Sequence, residues 1–431
     1  MPSPGPLPHV ASWYAATAHP APERPPLDGT ARADVCVIGA GYTGLSTALH
    51  LAEKGRRVVV IEANRVGWGA SGRNGGQLHS GQRRDQETLE AWFGMPRARA
   101  LFDLAEEAKR TVKGLIATHG IDCDWREGLI HAVHRKSWLP DALHEVEHLI
   151  ARYGYAGATF LDRADLARAI GTDVYVGGWR DATAGHLHPL NYALGIAAAA
   201  EARGAVIHEA TRAVSIDSDG AGHRRVVTDR GEIAAADVVV AANGHLDGLD
   251  REIEAHVMPI RNYVLATEPL GPRASHLIPL REAVADSRFV VHYWRLSPDG
   301  RLIFGGGETY GHRDPADVAA FVRRHMLKVY PDLADVKIDY AWGGTLAVTM
   351  SRMPYFRRLR PGIYTACGYS GHGVAVATLA GKLLAEAIDG DTGRFDVMAS
   401  LPARAFPGGP RLRAPTLALA MTWFALRDRL G

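Results

Sequence analysis

The run from Ala33 to Asn64, ADVCVIGAGYTGLSTALHLAEKGRRVVVIEAN, restricts the possible folds of this chain more than any other feature. Val35 to Ile38 and Val58 to Ile61 are unbroken apolar runs, as expected of strands buried on both faces of a parallel sheet. Between them Leu45, Ala48, Leu49 and Ala52 recur at helical spacing, and Gly55 ends the helix. The first strand–helix turn carries Gly39, Gly41 and Gly44. Gly39 permits a tight turn, Gly41 lets a pyrophosphate approach the backbone, and Gly44 lets the helix pack close on the strand. The helix start offers free N–H groups and the positive end of the dipole. Glu62, roughly 20 residues beyond the turn, can accept hydrogen bonds from ribose hydroxyls. The unit predicts a dinucleotide site, with Tyr42, Thr43 and Ala63 beside these groups.

Later segments point to which dinucleotide. NRVGWGASGRNGGQ, Asn64 to Gln77, is too rich in glycine and small residues for a helix and suits close backbone approach to an extended ligand. Asp237 to Ala241 reads as another apolar strand, followed by Ala242, Asn243 and Gly244. The segment GIYTACGYSGHGVAVATLAGKLLAEAIDG runs from a strand at Ile363 to Ala366, through a turn with Gly368 and Gly371, into a helix starting near His372. The N–H groups at that helix start can face the N1–C2=O edge of a flavin, where negative charge gathers on reduction. FAD is the expectation.

Together with GHLHPLNYALGIAAAAEARGA, RLIFGGG and the CGYSGHGV turn, these motifs resemble the D-amino-acid oxidase, glycine oxidase and sarcosine oxidase family of FAD enzymes. Within it they are most similar to bacterial gamma-glutamylputrescine oxidases and L-pipecolate oxidases, over nearly the whole chain. The resemblance implies Gly39, Gly41 and Gly44 at the pyrophosphate and Glu62 at the adenosine ribose. It implies Ala70, Ser71, Gly72, Arg73, Gly75, Gly76 and Gln77 around the isoalloxazine and ribityl region, and the Val214 backbone against adenine. Gly371, His372, Gly373 and Val374 would hold the pyrimidine edge of the flavin. Three departures stand out. Ala375 occupies the place of a lysine that binds substrate carboxylate in sarcosine oxidases. No lysine lies in Leu302 to Gly307, and no cysteine in Trp342 to Met353 for covalent attachment. The implied cofactor is therefore non-covalent FAD.

The implied activity is oxidation of a C–N bond in a small amine or amino acid, with hydride transfer to flavin N5 and hydrolysis of the imine. Electrons then pass to O2 or another acceptor. Gamma-glutamylputrescine is the favoured substrate, and L-pipecolate or another secondary amino acid the alternative.

The intervening residues read as a second domain. Leu101, Leu104, Ala105, Ala108, Val112 and Leu115 mark an amphipathic helix starting near Pro96, and Asp141 to Tyr153 another. Arg261 to Ala266, the pair HYWRL and RLIFGG, and Val336 to Trp342 read as strands of a mainly antiparallel sheet. Tyr263, His292, Tyr293, Trp294 and Arg295 concentrate there. Tyr263, Tyr293 and Arg295 are candidate substrate contacts, Arg295 as a partner for a carboxylate, and His372 is a candidate beside the flavin. Alternation prevents Tyr293 and Trp294 from sharing a face. HEVEH, His144 to His148, matches the H-E-x-x-H zinc pattern with Glu145 as base. Leu143, Val146 and Ile150 read as that helix's buried stripe, leaving the histidines to solvent, and no metal is expected.

The fold class expected is α/β plus α+β, a Rossmann-like FAD-binding domain with an interleaved substrate domain. The FAD-binding parts are 30–90, 185–255 and 345–395, and the substrate parts 91–184 and 256–344. Residues 1–29 form a proline-rich extended arm laid down through Trp13 and Tyr14, and 396–431 a tail helix docked on the body. With 49 basic and 47 acidic residues among 431, nothing favours a nucleic-acid partner. No apolar run reaches the roughly 18 residues of a membrane span. Three scattered cysteines suit a reducing cytoplasm. Oligomeric state is not legible.

Overall fold

The structure is a computed structural model, described here for residues 6–218, 222–309 and 313–408. The Val35–Ile38 run ends the strand Gly29–Ile38, which pairs in parallel with Val58–Ile61 on one side and Gly231–Val240 on the other. Ile363–Cys367 and Val206–His208 extend the sheet in parallel, and Tyr355–Arg360 closes one edge antiparallel. A two-stranded ribbon, Ala213–Ser218 with Arg224–Thr228, branches from Gly231–Val240. Burial of this sheet on both faces explains why its central strands are apolar without alternation.

The helices that position the site are α1 (Tyr42–Glu53), α2 (Gln86–Phe93), α3 (Met95–His119), α4 (Leu139–Tyr153), α5 (Pro189–Ala202) and α6 (Gly373–Ile388). On the sheet, α1 and α6 cross closely at Gly381, where an added Cβ would lie 2.5 Å from Ser46 Cβ and 2.6 Å from Thr43 O. Both helices bury nearly every residue, so their apolar character runs all round.

A second sheet runs in the order Ile338–Val348, Met258–Thr267, Leu302–Thr309, Tyr293–Leu296, Ala283–Asp286, Arg126–Val133, Gly177–His186, Gln77–Leu78, with Ala158–Leu161 attached to Gly177–His186. Its pairs are antiparallel except Ala283–Asp286 with Arg126–Val133. This matches the expected mainly antiparallel sheet.

Two expectations need correction. The N-terminal segment is not extended throughout: Ser12 caps a helical turn, Trp13–Ala16. Trp13 and Tyr14 are buried in the body, Tyr14 packing edge-on against His188 and Trp342 at 5.0 and 5.2 Å. On α4 the buried residues are Val146 and Tyr153, whereas Leu143 and Ile150 are exposed. The helix turns its Glu145–Leu149 side to the body, because that side meets the second sheet and α3. A helix Gly393–Ala399 begins near the expected tail, and residues beyond 408 lie outside those described.

Candidate active site

Three turns at the C-terminal ends of the first sheet's strands converge. Gly39 leaves the first strand with φ 108°, and a Cβ there would meet Ala241 O at 2.8 Å. A Cβ on Gly44 would overlap Gly39 O at 1.9 Å, so only glycine lets α1 start this close to the strand. The α1 N-terminus has no side-chain cap; Tyr42 N donates to Ser71 Oγ at 3.1 Å, and a Cβ on Gly41 would lie 2.9 Å from that oxygen. Thr43 Oγ1 shares a 2.6 Å hydrogen bond with Tyr369 OH, tying this turn to the one before α6. Asn243, in left-handed backbone at φ 50°, accepts Gly368 N at 2.9 Å and ties in the third turn. The N-terminus of α6, at His372, also lacks a side-chain cap. Two uncapped helix starts around one space make a cradle for an anionic, extended ligand, and the glycines leave room for its backbone approach.

Glu62 ends the second strand and accepts Ala40 N at 3.0 Å and Asn64 N at 2.9 Å. Burial pushes its carboxyl up, against the pull of these two amides. Each oxygen keeps a free lone pair, the requirement for holding a ribose diol.

These turns open on a cavity of about 930 Å³ running between the two sheets. Of the residues singled out in the sequence, Gly41, Tyr42, Thr43, Ala70, Ser71, Arg73, Gly75, Gln77, Asn243, Tyr293, Gly371, His372, Gly373 and Val374 line it. Gly39, Gly44, Glu62, Ala63, Ala242, Gly244 and Gly368 are not among the residues that line it. Gly72 and Gly76 also stand a layer back: their added Cβ atoms would strike Gly67 O at 2.4 Å and Leu187 O at 2.1 Å. Val214 is 57% exposed on the outer ribbon, away from the cavity wall.

Tyr293 covers Gly75, where a Cβ would lie 2.5 Å from its ring, and its hydroxyl donates to Asn262 Oδ1 at 2.5 Å. Two other candidates are corrected. Tyr263 is fully buried away from the cavity; its ring meets Phe321 at 5.5 Å and its hydroxyl bonds Thr309 Oγ1 at 2.7 Å and Asp314 Oδ1 at 2.9 Å. Strand alternation sends Asn262 and Val264 to the cavity and Tyr263 to the opposite face. Arg295, 1% exposed, lies beneath the glycine loop, donating Nε to Gly75 O at 3.0 Å and Nη2 to Tyr14 OH at 3.4 Å. It props the loop rather than facing a substrate. Trp294 stacks on Phe304 in the core, opposite Tyr293, as alternation requires.

The cavity brings in residues the sequence reading passed over. His372 lies 5.2 Å from His79, His79 lies 5.7 Å from His131, and His131 stacks on Trp179 at 4.0 Å. Burial drives all three imidazoles towards the neutral form: His131 falls to about 4, His372 to about 3, and His79 well below its ordinary value. Arg83 faces the cavity and donates Nε to Ser370 O at 3.1 Å, and the charge of Glu308 on the same cavity wall acts on it. Burial, reinforced by Arg352, lowers it to about 10. His79 and Arg83 follow GGQL directly, so extending the loop reading by a few residues would have reached them. Nothing local marks His131, Trp179 or Asn262.

The two histidines of the H-E-x-x-H pattern meet carboxylates of α2. His144 Nε2 meets Glu87 Oε1 at 3.0 Å and His148 Nε2 meets Glu90 Oε1 at 2.7 Å, on the outer side of α4. Ligand atoms of Glu87, His144 and His148 lie within 4.8 Å of one another, so a third potential ligand stands on α2, upstream of the motif. His144, Glu145 and His148 together line a groove that adjoins the cavity, and Glu145 reaches the cavity as well.

A family model described as DAO, FAD dependent oxidoreductase, matches residues 34–387. The chain is 44% identical over 418 residues to the "Probable oxidoreductase OrdL" of Rhizobium meliloti (strain 1021), with 97% of each chain covered. It is 42% identical over 425 residues to the "Gamma-glutamylputrescine oxidoreductase" of Escherichia coli (strain K12), covering 98% of this chain and 99% of that one. Its structure is similar to glycine oxidase from Geobacillus kaustophilus, with a TM-score of 0.70 at 22% identity over 83% of this chain and 95% of that one. That last likeness speaks for the fold.

Proposed function

Since the chain belongs to the DAO family of FAD-dependent oxidoreductases, we propose that it binds FAD non-covalently and oxidises a C–N bond of a small amine, with gamma-glutamylputrescine the leading substrate. The observation that carries the reading is the single cavity joining the uncapped starts of α1 and α6 to the wall built by Tyr293 and Asn262. Gly41, Tyr42, Thr43 and Ser71 fit the pyrophosphate, Glu62 fits the ribose, and His372, Gly373 and Val374 fit the flavin edge. When bound there, FAD supplies the two-electron acceptor for the C–H next to nitrogen, and O2 or another acceptor takes the electrons onward.

The chain's own residues prepare the amine. An ammonium cannot lose hydride from its carbon readily, so the nitrogen must become neutral. The neutral imidazoles of His79, His131 and His372 and the rings of Tyr293 and Trp179 make a weakly solvating wall that lowers an amine's proton affinity. Arg83 faces the cavity, where the charge of Glu308 also acts on it, and fits a substrate carboxylate, as Arg295 does not. No helix among the described residues is long and apolar enough to cross a membrane. The three cysteines, unpaired and buried, fit a reducing cytoplasmic setting.

The test is anaerobic mixing of the FAD-loaded protein with gamma-glutamylputrescine, L-pipecolate and a panel of other amines and amino acids. Gamma-glutamylputrescine is expected to bleach the flavin absorbance fastest. A preference for L-pipecolate would replace the substrate assignment, and a flavin that no compound bleaches would end the reading.

A further inference from the structure

The rings of His372, His79, His131 and Trp179 form a file leading away from the start of α6. His131 and Trp179 line both the main cavity and an adjoining groove of about 500 Å³, and so does Glu145. Glu145 thus stands at the end of the cavity remote from the flavin-binding turns, with Phe102 and Leu149 supplying apolar wall nearby.

The other acids of this region are engaged. Asp85 caps α2 through Thr88 N at 2.7 Å. Asp286 pairs with Arg288, and Asp181 accepts Ser80 Oγ and Tyr155 OH at 2.5 and 2.7 Å. Glu87 holds His144. Glu145 has neither a hydrogen bond nor an ion pair among the described residues. A carboxylate in such a place is costly alone and is relieved by a cation.

We infer that Glu145 selects amine substrates bearing a second ammonium group, by pairing with that group while the oxidised C–N bond lies at the flavin end. This rests on the amine-oxidation reading and adds a specificity determinant to it. The ring file and apolar wall suit the methylene chain that separates two such charges.

The experiment titrates the FAD-loaded protein with octane-1,8-diamine and with octylamine, a chain long enough to follow several steps of the ring file, following the perturbation of the flavin spectrum under anaerobic conditions. The wild type is expected to bind the diamine about ten-fold or more tightly than the monoamine. Glu145→Gln is expected to level the two by weakening only the diamine, and Glu145→Asp to recover part of the difference. Equal binding of both amines by the wild type, or an unchanged ratio in Glu145→Gln, overturns the inference. Because the readout is binding, its failure is distinguishable from a flavin that no amine reduces, which sinks the oxidase reading instead.

Discussion

Individual side chains in this protein are set by what covers them. His188 caps α5 by accepting Asn191 N on Nδ1 at 3.1 Å, with Thr17 Oγ1 3.1 Å from Nε2. That arrangement needs a neutral ring. His186, 1% exposed, meets Arg281 O at 2.9 Å through Nε2. Burial, then the nearby Arg295 charge, depresses both to about 3. Above the ordinary histidine value neither folded nor unfolded chain is protonated at these sites, and they add no pH dependence. As pH falls below about 6.5 the unfolded chain takes up the protons first, so stability drops by about 1.4 kcal/mol per unit for each group until about pH 3. Urea midpoints measured from pH 7 to pH 4.5 should therefore fall steeply. Replacing both residues, His186→Asn and His188→Asn, should flatten the slope, and an unchanged slope would refute the assignment. Residue identity alone did not reveal this, because the same histidine on an exposed loop would titrate normally.

Helix contacts carry the next level of constraint. The α1–α6 crossing brings the two uncapped N-termini side by side, joined by Thr43 and Tyr369. Gly381 makes the approach possible: Gly381→Ala puts a methyl group against Ser46 Cβ and the Thr43 carbonyl, backbone that cannot move aside cheaply. Overpacking of this kind costs about 1–3 kcal/mol. The variant should melt at a lower temperature and hold FAD less tightly, while an unchanged melting temperature would mean the crossing relaxes freely. The apolar run and glycine spacing around Gly39 disclosed α1 and its strands because strand, turn and helix are neighbours in the chain. The strand, glycine turn and helix from Ile363 onwards were legible as neighbours in the chain, but the partner of α6 was not, since Ser46 and Thr378 meet only across the fold.

Over the whole molecule, the cavity exists only because two sheets are held together around it. Arg295 reaches across 220 residues to Gly75, Trp342 donates to Arg73 O at 2.9 Å, and Tyr14 wedges against Trp342. A ligand spanning this space stabilises the folded state by mass action, about 2.7 kcal/mol at a hundred-fold excess over its dissociation constant. Added FAD should raise the melting temperature of the apoprotein, and acid precipitation should release the yellow chromophore into the supernatant. Colour retained in the pellet would contradict non-covalent binding, and a melting temperature indifferent to FAD would contradict binding itself.

The amino-acid order determined the parallel apolar strands, the glycine turn and its acid, and the antiparallel strands around Tyr293, because each depends on the period and steric needs of adjacent residues. It also carried the motifs of a family. The tertiary structure alone decided which side chains share the cavity. It turned Tyr263 to the opposite face of its strand, buried Arg295 beneath a glycine loop, and set Arg83, His131 and Glu145 around one space. Direction in a sheet reverses with every residue, and neighbours across sheets are chosen by packing among distant segments, which no local pattern encodes.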